Sequence, residues 1–298
     1  MSEKELQVEK PESEMKAIWE SLKENKTALA GMFIVIFLIL VALVTWIADL
    51  AGIQILPYNP DMSSMSESFM TPCAQHWFGT DELGRDIFSR VIDGTKISLF
   101  VGFAVVVFSA GLGVIIGAFA GYKGGAVDTV IMRFMDIMLS TPSILLAITL
   151  MAALGKGMDK AIIAIGVVSI PEYARITRGS VLSAKESDYA QAAKVVGNKD
   201  KRIIFKHILP NIISPIIVRA TLGVSSAIMD TAALGFLGLG VQPPMAEWGD
   251  MLGRAKGYIF SAPYTLIFPG IAITLTVLAF NMFGDGLNDA LDPKSRKR

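Results

Sequence analysis

Ser187-Asp-Tyr-Ala-Gln-Ala-Ala-Lys-Val-Val-Gly-Asn-Lys-Asp-Lys-Arg-Ile-Ile-Phe-Lys-His-Ile-Leu-Pro-Asn211 is a charged stretch lying between two long apolar regions. It reads as two short helices joined by a glycine turn. Ser187 or Asp188 is placed to cap the first, over about Tyr189 to Val196, and Gly197 supplies its left-handed stop. Asp200 is placed to cap the second, which should end before Pro210. Ala190, Ala193 and Gly197 share one helical face, leaving it nearly bare so that another surface can approach closely. Tyr189, Ala193 and Val196 form an adjoining apolar edge. The lysines and arginine around it (Lys194, Lys199, Lys201, Arg202, Lys206) suit the cytoplasmic side of a membrane.

Composition agrees with a membrane setting. Of 298 residues, 52% are hydrophobic and only 18% charged, which is too apolar for an ordinary soluble domain. The formal charge balances to zero, which argues against a nucleic-acid binder. The single cysteine, Cys73, excludes an intrachain disulfide and leaves the redox compartment undecided.

Apolar runs of bilayer length place six spans, at about 29–50, 97–122, 133–154, 161–176, 212–237 and 264–283. The chain thus divides into a polar tail (1–27), an all-α membrane domain (28–293) whose cytoplasmic loop covers 177–211, and a basic tail (294–298). In the first tail Met15, Ile18, Trp19 and Leu22 recur at helical spacing, as either an amphipathic helix on the membrane surface or a disordered tail. A signal peptide is not expected: the charged region and the apolar run after it are too long, and no small-residue cleavage site follows. Ser109, Gly113, Gly117 and Gly121 sit four apart on the second span, a spacing that lets a neighbouring helix approach backbone to backbone. Pro142 should kink the third span, and Asp136 lies near that span's interfacial start. With the amino terminus inside, nineteen of the 27 Lys and Arg residues lie on the inner side and seven in the outer connections. That bias puts both termini and the 177–211 loop in the cytoplasm.

Few residues offer chemistry. Cys73 and His76 supply two ligands where a closed zinc site needs four, and His207 lies on the other side, so no metal site is expected. The glycines of 235–240 lack the strand, the Lys-Ser/Thr ending and the helix of a phosphate loop, and no such motif occurs elsewhere in the chain. Asp230 lies well inside an apolar run. A carboxylate there should face the bundle or a wet cavity, either as a pathway residue meeting a cationic group or as a paired structural Asp near a helix end. A membrane-embedded enzyme would need a nucleophile with a base or a metal cluster, and an ion channel a charged ring or carbonyl filter. Neither pattern is present.

The 187–211 stretch resembles the cytoplasmic coupling loop of bacterial ABC importer permeases: Glu-Ala-Ala, three residues, Gly, nine residues, Ile, one residue, Leu-Pro. Ala192, Ala193, Gly197, Leu209 and Pro210 fall on that pattern, while Gln191 stands for the usual Glu and His207 for Ile. His76-Trp-Phe-Gly-Thr-Asp-Glu-Leu-Gly-Arg-Asp-Ile-Phe-Ser-Arg90, Gly235 to Asp250 and Gly284 to Pro293 are similar to segments of the peptide and nickel branch of these permeases. The resemblance covers nearly all of Leu29 to Pro293 and falls with C-type subunits of dipeptide permeases. It implies a type I ABC importer permease fold that moves dipeptides or short oligopeptides across the inner membrane, with nickel, glutathione or another small solute as the alternative. It implies a homologous second permease subunit, two ATPase subunits that bind the ATP and Mg, an extracytoplasmic binding protein, and no cofactor on this chain. By the same resemblance Tyr189, Gln191, Ala192, Ala193, Gly197, Leu209 and Pro210 couple to the ATPases. Asp230, from its place in an apolar run, and Asn281 are the pathway candidates, and Asp81, Arg85 and Asp86 those for an outer-loop scaffold or docking element.

Overall fold

The computed structural model describes residues 14–291, so the basic tail 294–298 and the first 13 residues lie outside the described part, as does the side chain of Met15. Among the described residues the chain is helical, with one isolated β-bridge between Thr80 and Asp86. The elements are α1 (Glu14–Glu24), α2 (Lys26–Ala51), α3 (Ile87–Lys123), α4 (Gly125–Ser140), α5 (Ser143–Leu154), α6 (Met158–Ala184), α7 (Asp188–Val195), the single turn α8 (Asp200–Arg202), α9 (Ile213–Phe236), α10 (Trp248–Ala255) and α11 (Tyr264–Leu291).

Local chemistry sets the ends of these helices. Asn25 caps α2 by accepting from the Ala28 N–H at 3.1 Å, and Gly52 closes it in the left-handed conformation. Asp86 caps α3 by accepting from the Ser89 N–H at 2.7 Å. From that cap α3 runs 37 residues, about 55 Å, well beyond the ~30 Å of a bilayer core.

The glycine stripe of α3 meets α6. A Cβ on Gly113 would lie 2.6 Å from the Tyr173 Cβ; on Gly117, 2.2 Å from the Ala174 carbonyl oxygen; on Gly121, 2.9 Å from that of Arg178. The two backbones touch because nothing stands between them. Around this seam Val101, Val105 and Val106 of α3, Ile165 of α6, Val224 and Ile228 of α9 and Phe280 of α11 form the main core. Phe33, Phe37 and Ile47 of α2 point outward, a face suited to lipid.

Four expectations need correction. The third span is broken rather than kinked: α4 and α5 meet at 95° around Pro142. The proline ring drives the residue before it out of the helical region, and Thr141 is extended with ψ 134°. Of the two alternatives for the first tail, the disordered one does not hold over α1, which is helical. Ile18 and Leu22 pack on Ala28, Leu287 and Ala290, at the far end of α11. That helix extends to Leu291, eight residues past its expected end. The fourth span likewise overruns its expected end, with α6 carrying through the buried Pro171 to Ala184.

By length and composition four helical runs qualify as membrane spans, and a fifth if α4 and α5 make one broken span. At 27 residues α6 is long enough to cross, but with Glu172, Arg175 and Arg178 in its second half it does not qualify on hydropathy.

Substituting Gly117 with Leu should force α3 and α6 apart, costing upward of about 3 kcal/mol by overpacking. Gly111→Leu, where a Cβ meets nothing within 4 Å, should leave stability unchanged. Thermal unfolding of the two purified variants in detergent decides this, and equal midpoints would show that the seam is not close-packed.

Candidate functional site

Three regions carry the residues singled out from the sequence. The first is α7 with its continuation. Ser187 precedes the helix in extended conformation, but its Oγ donates to the Ala184 carbonyl at 2.5 Å and forms no cap bond. Gly197 takes φ +83°, and Asn198 folds back with both its N–H and its Nδ2 donating to the Ala193 carbonyl, at 3.2 and 2.9 Å.

The bare face is turned inward. Ala190 and Ala193 are buried against Ala118, Val181, Ile203, Ile204 and Ile208 of the chain's own bundle. The expected small face therefore seats α7 on its own bundle and is not offered to another surface. What α7 exposes is its opposite side: Tyr189 is 41% exposed, Val195 86% and Val196 81%, with Gln191 and Ala192 also open.

The second helix also differs from expectation. Asp200 makes no cap bond: its carboxylate accepts from Lys123 Nζ at 2.7 Å and from the Tyr122 hydroxyl at 3.3 Å. The helix does not stop before Pro210. It widens over Ile203–Ile208 into i→i+5 turns, tightens over Leu209–Ile212 and enters α9, making one helical run from Asp200 to Phe236. Asn211 Nδ2 donates to the His207 carbonyl at 2.6 Å, which helps the chain pass a residue without an N–H. Leu209 is partly buried and Pro210 exposed. After the turn at Gly197, one continuous helical run thus leads from beside α7 into α9.

The second region is a cavity of about 630 Å³ at the α4–α5 break, walled by Ser140 to Ser143, by Ser169 and Glu172 of α6, and by Arg219, Ser226 and Asp230 of α9. Arg219, Ser226 and Asp230 are seven and four residues apart, so they share one stripe of α9. Asp230 has no hydrogen bond or ion pair among the described residues. Arg219 is ion-paired with Glu172, and its guanidinium carbon lies 5.8 Å from the centre of the Tyr173 ring. Asn281 is not in this wall; its Oδ1 accepts from the Ser225 hydroxyl at 2.6 Å, bonding α11 to α9. Glu172 and the role of Arg219 escaped sequence reading. The only available signal was a pair of charges inside apolar runs.

The third region lies at the opposite end of the bundle from α7. Asp81, Arg85 and Asp86 are all buried. Asp81 Oδ1 accepts from the Leu83 and Arg85 N–H groups, both at 2.9 Å, while Oδ2 accepts from Arg85 Nε at 2.7 Å. Asp86 adds an Oδ1 contact with His76 Nδ1 at 2.9 Å to its cap bond, and the His76 ring stacks on Tyr58. None of the three is presented outward. A residue missed from sequence completes this end. Glu247, 1% exposed, caps α10 with both oxygens, accepting from the Gly249 and Asp250 N–H groups at 2.8 Å each. Next to it Trp248 Nε1 donates to the Val91 carbonyl of α3 at 2.9 Å. Burial pushes the Glu247 carboxyl up from 4.5 to about 7.

Among the described residues the chain is thus a helical bundle with a broken apolar helix pair, an exposed terminal knob and a side cavity that holds the Asp230 carboxylate. Residues 113–297 match the family model described as the binding-protein-dependent transport system inner membrane component, and residues 13–72 match the N-terminal TM domain of oligopeptide transport permease C. The chain belongs to this family of ABC importer permeases and is a multi-pass inner-membrane protein. It is 49% identical to a dipeptide transport system permease protein of Alkalihalophilus pseudofirmus, over 93% of this chain and 89% of the relative. It is 43% identical to a glutathione transport system permease protein of Pectobacterium atrosepticum, over 92% and 88%. A chain of the MetNI methionine ABC transporter in an inward-facing conformation shares the fold, with TM-score 0.57 and 19% identity over 69% of this chain and 98% of that one.

The Glu247 environment sets a pH dependence. Below about pH 4.5 the carboxyl is protonated in both folded and unfolded chains. Between 4.5 and about 7 only the folded chain keeps the proton, so this group's contribution falls as pH rises through that window and levels off above it. The stability difference between the wild type and Glu247→Gln, from unfolding midpoints in detergent, should therefore shift against the wild type from pH 5 to pH 8. A difference independent of pH would mean that the carboxyl is already ionised at pH 5.

Proposed function

We propose that this chain is one permease subunit of an ABC importer that brings dipeptides or short oligopeptides into the cell, with α7 as the coupling helix held by the ATPase subunits. The observation that carries it is the two-sidedness of α7. Its alanine face is locked into the bundle, while Tyr189, Ala192, Val195 and Val196 stand out at the tip with nothing among the described residues to cover them. Exposed β-branched residues on a polar, basic segment are a protein contact rather than a lipid one.

The remaining parts follow from this reading. Both termini and α7 lie in the cytoplasm, α6 supplies the sixth crossing, and the chain has no nucleotide-binding loop of its own. Two partner ATPases bind ATP and Mg, and their closure moves α7. The motion passes through the continuous run Asp200–Phe236 to the cavity wall. An extracytoplasmic binding protein delivers the substrate at the opposite end, where Asp81, Arg85 and Asp86 act as an internal scaffold. Broken backbone and charged side chains are not tolerated against lipid, so the open side of the cavity at Ser140–Ser143 needs a protein cover. A homologous second permease supplies it.

A short peptide near neutral pH is mostly a zwitterion. Asp230, unpaired in the cavity, is the group that meets its ammonium end. The names of the relatives support a peptide: one is a dipeptide permease, the other moves glutathione, itself a small peptide. Glutathione therefore stands as the second reading, and the binding protein makes the first choice of solute.

Val195→Asp should abolish uptake of labelled dipeptide, by more than about tenfold, with the chain still in the membrane, because a charge replaces an apolar anchor at an interface. Affinity purification should then recover the chain without ATPase subunits. Normal recovery and uptake would sink the coupling assignment. Asp230→Asn should lower uptake severalfold at unchanged abundance in the membrane, measured by immunoblot. If abundance falls in step with uptake, the carboxylate is structural.

A further inference from the structure

The cavity holds two carboxylates and one guanidinium among its described walls. Asp230 stands alone, and Arg219 is neutralised by Glu172. We propose that Arg219 is a second substrate station, at which the terminal carboxylate of the peptide replaces Glu172 on the guanidinium.

Geometry carries the exchange. Arg219 and Asp230 lie on one stripe of α9, eleven residues and therefore about 16 Å apart. Two residues of extended peptide reach at most about 7 Å. The backbone spacing of the two residues exceeds the span of a dipeptide, and the peptide passes from the ammonium station at Asp230 to the carboxylate station at Arg219.

The surroundings permit the swap. Arg219 is partly enclosed, 24% exposed, and its guanidinium faces the Tyr173 ring, so leaving it without an anion is costly. Glu172 is 43% exposed on the cavity side and can turn back to water when displaced. In both states the guanidinium keeps a carboxylate, of the planar kind it binds with two parallel bonds. Tyr173 is buried, with its Cβ against Gly113 and its hydroxyl end against Gly223, so close packing holds the ring while the anion changes.

The pair also bridges α6 to α9, and Arg219 lies seven residues beyond the irregular turns that follow the coupling segment. Movement of α9 relative to α6 therefore strains this same bond. The exchange rests on the peptide-importer reading.

Equilibrium binding separates the two. The whole purified transporter in lipid nanodiscs, without the binding protein, is titrated with labelled Ala-Ala and with its C-terminal amide. The wild type should bind the free acid at least about tenfold more tightly, the worth of one charge-assisted bond. Arg219→Gln should erase that preference, and Glu172→Gln, which removes the competing anion, should tighten the free acid. Should Arg219→Gln fail to assemble, the double variant E172Q/R219Q leaves neither ion unpaired between the same helices and should bind acid and amide alike. A wild type that binds acid and amide equally, or a double variant that still prefers the acid, overturns the station. Uptake of Ala-Ala by intact cells tests the importer reading by itself. Failure of uptake removes both readings, whereas uptake without acid preference removes only this one.

Discussion

The backbone contact between α3 and α6 is the constraint on which the other features rest. Lipid gives apolar helices little reason to prefer each other over acyl chains, so close packing has to supply the attraction. Three glycines in register, Gly113, Gly117 and Gly121, bring α3 against Tyr173, Ala174 and Arg178. Toward one end of this seam Glu172 faces the cavity. Toward the other, Ala118 and Val181 make the bed on which Ala190 and Ala193 seat the short helix α7. A single close-packed pair thus positions both the exposed helix α7 and the cavity that holds the charges.

Ion pairs tie the remaining helices to that pair. Arg178 holds Asp128 with two bonds, at 2.8 and 2.6 Å, and Arg175 holds Asp136 at 2.7 Å, so α4 is fastened to α6 on the α7 side of the Pro142 break. Lys123 on Asp200 fastens the end of α3 to the start of the long run into α9. These bonds are partly exposed and individually weak, but each joins elements far apart in sequence. At the opposite end, buried carboxylates do the organising. Asp81, Asp86 and Glu247 accept backbone N–H groups that would otherwise be buried without a partner, and so hold irregular loops in one shape.

Much of the architecture was legible in the chain. Apolar runs of bilayer length marked the four helical runs that qualify as spans, because water exclusion acts on any such run whatever its neighbours. The small-residue spacing on α3 announced a close approach, and Gly197 announced a left-handed turn, since both are local requirements of backbone geometry. Asp230 stood out because a lone carboxylate in an apolar run is expensive. The same local reading misjudged the alanine face of α7. A bare helix face states only that something comes close, and the something was the chain's own bundle.

What the sequence by itself determined was a helical membrane protein with a glycine-lined seam, a basic helix-turn segment and one carboxylate out of place. Only the tertiary structure decided which helix fills the seam, which way α7 faces, how sharply the chain turns at Pro142, and that Arg219 and Glu172 share a bond beside Asp230. The physical reason is range. Hydropathy, caps and glycine torsions act within a turn or two of helix, whereas a cavity wall is made by segments that meet only after the whole bundle has packed.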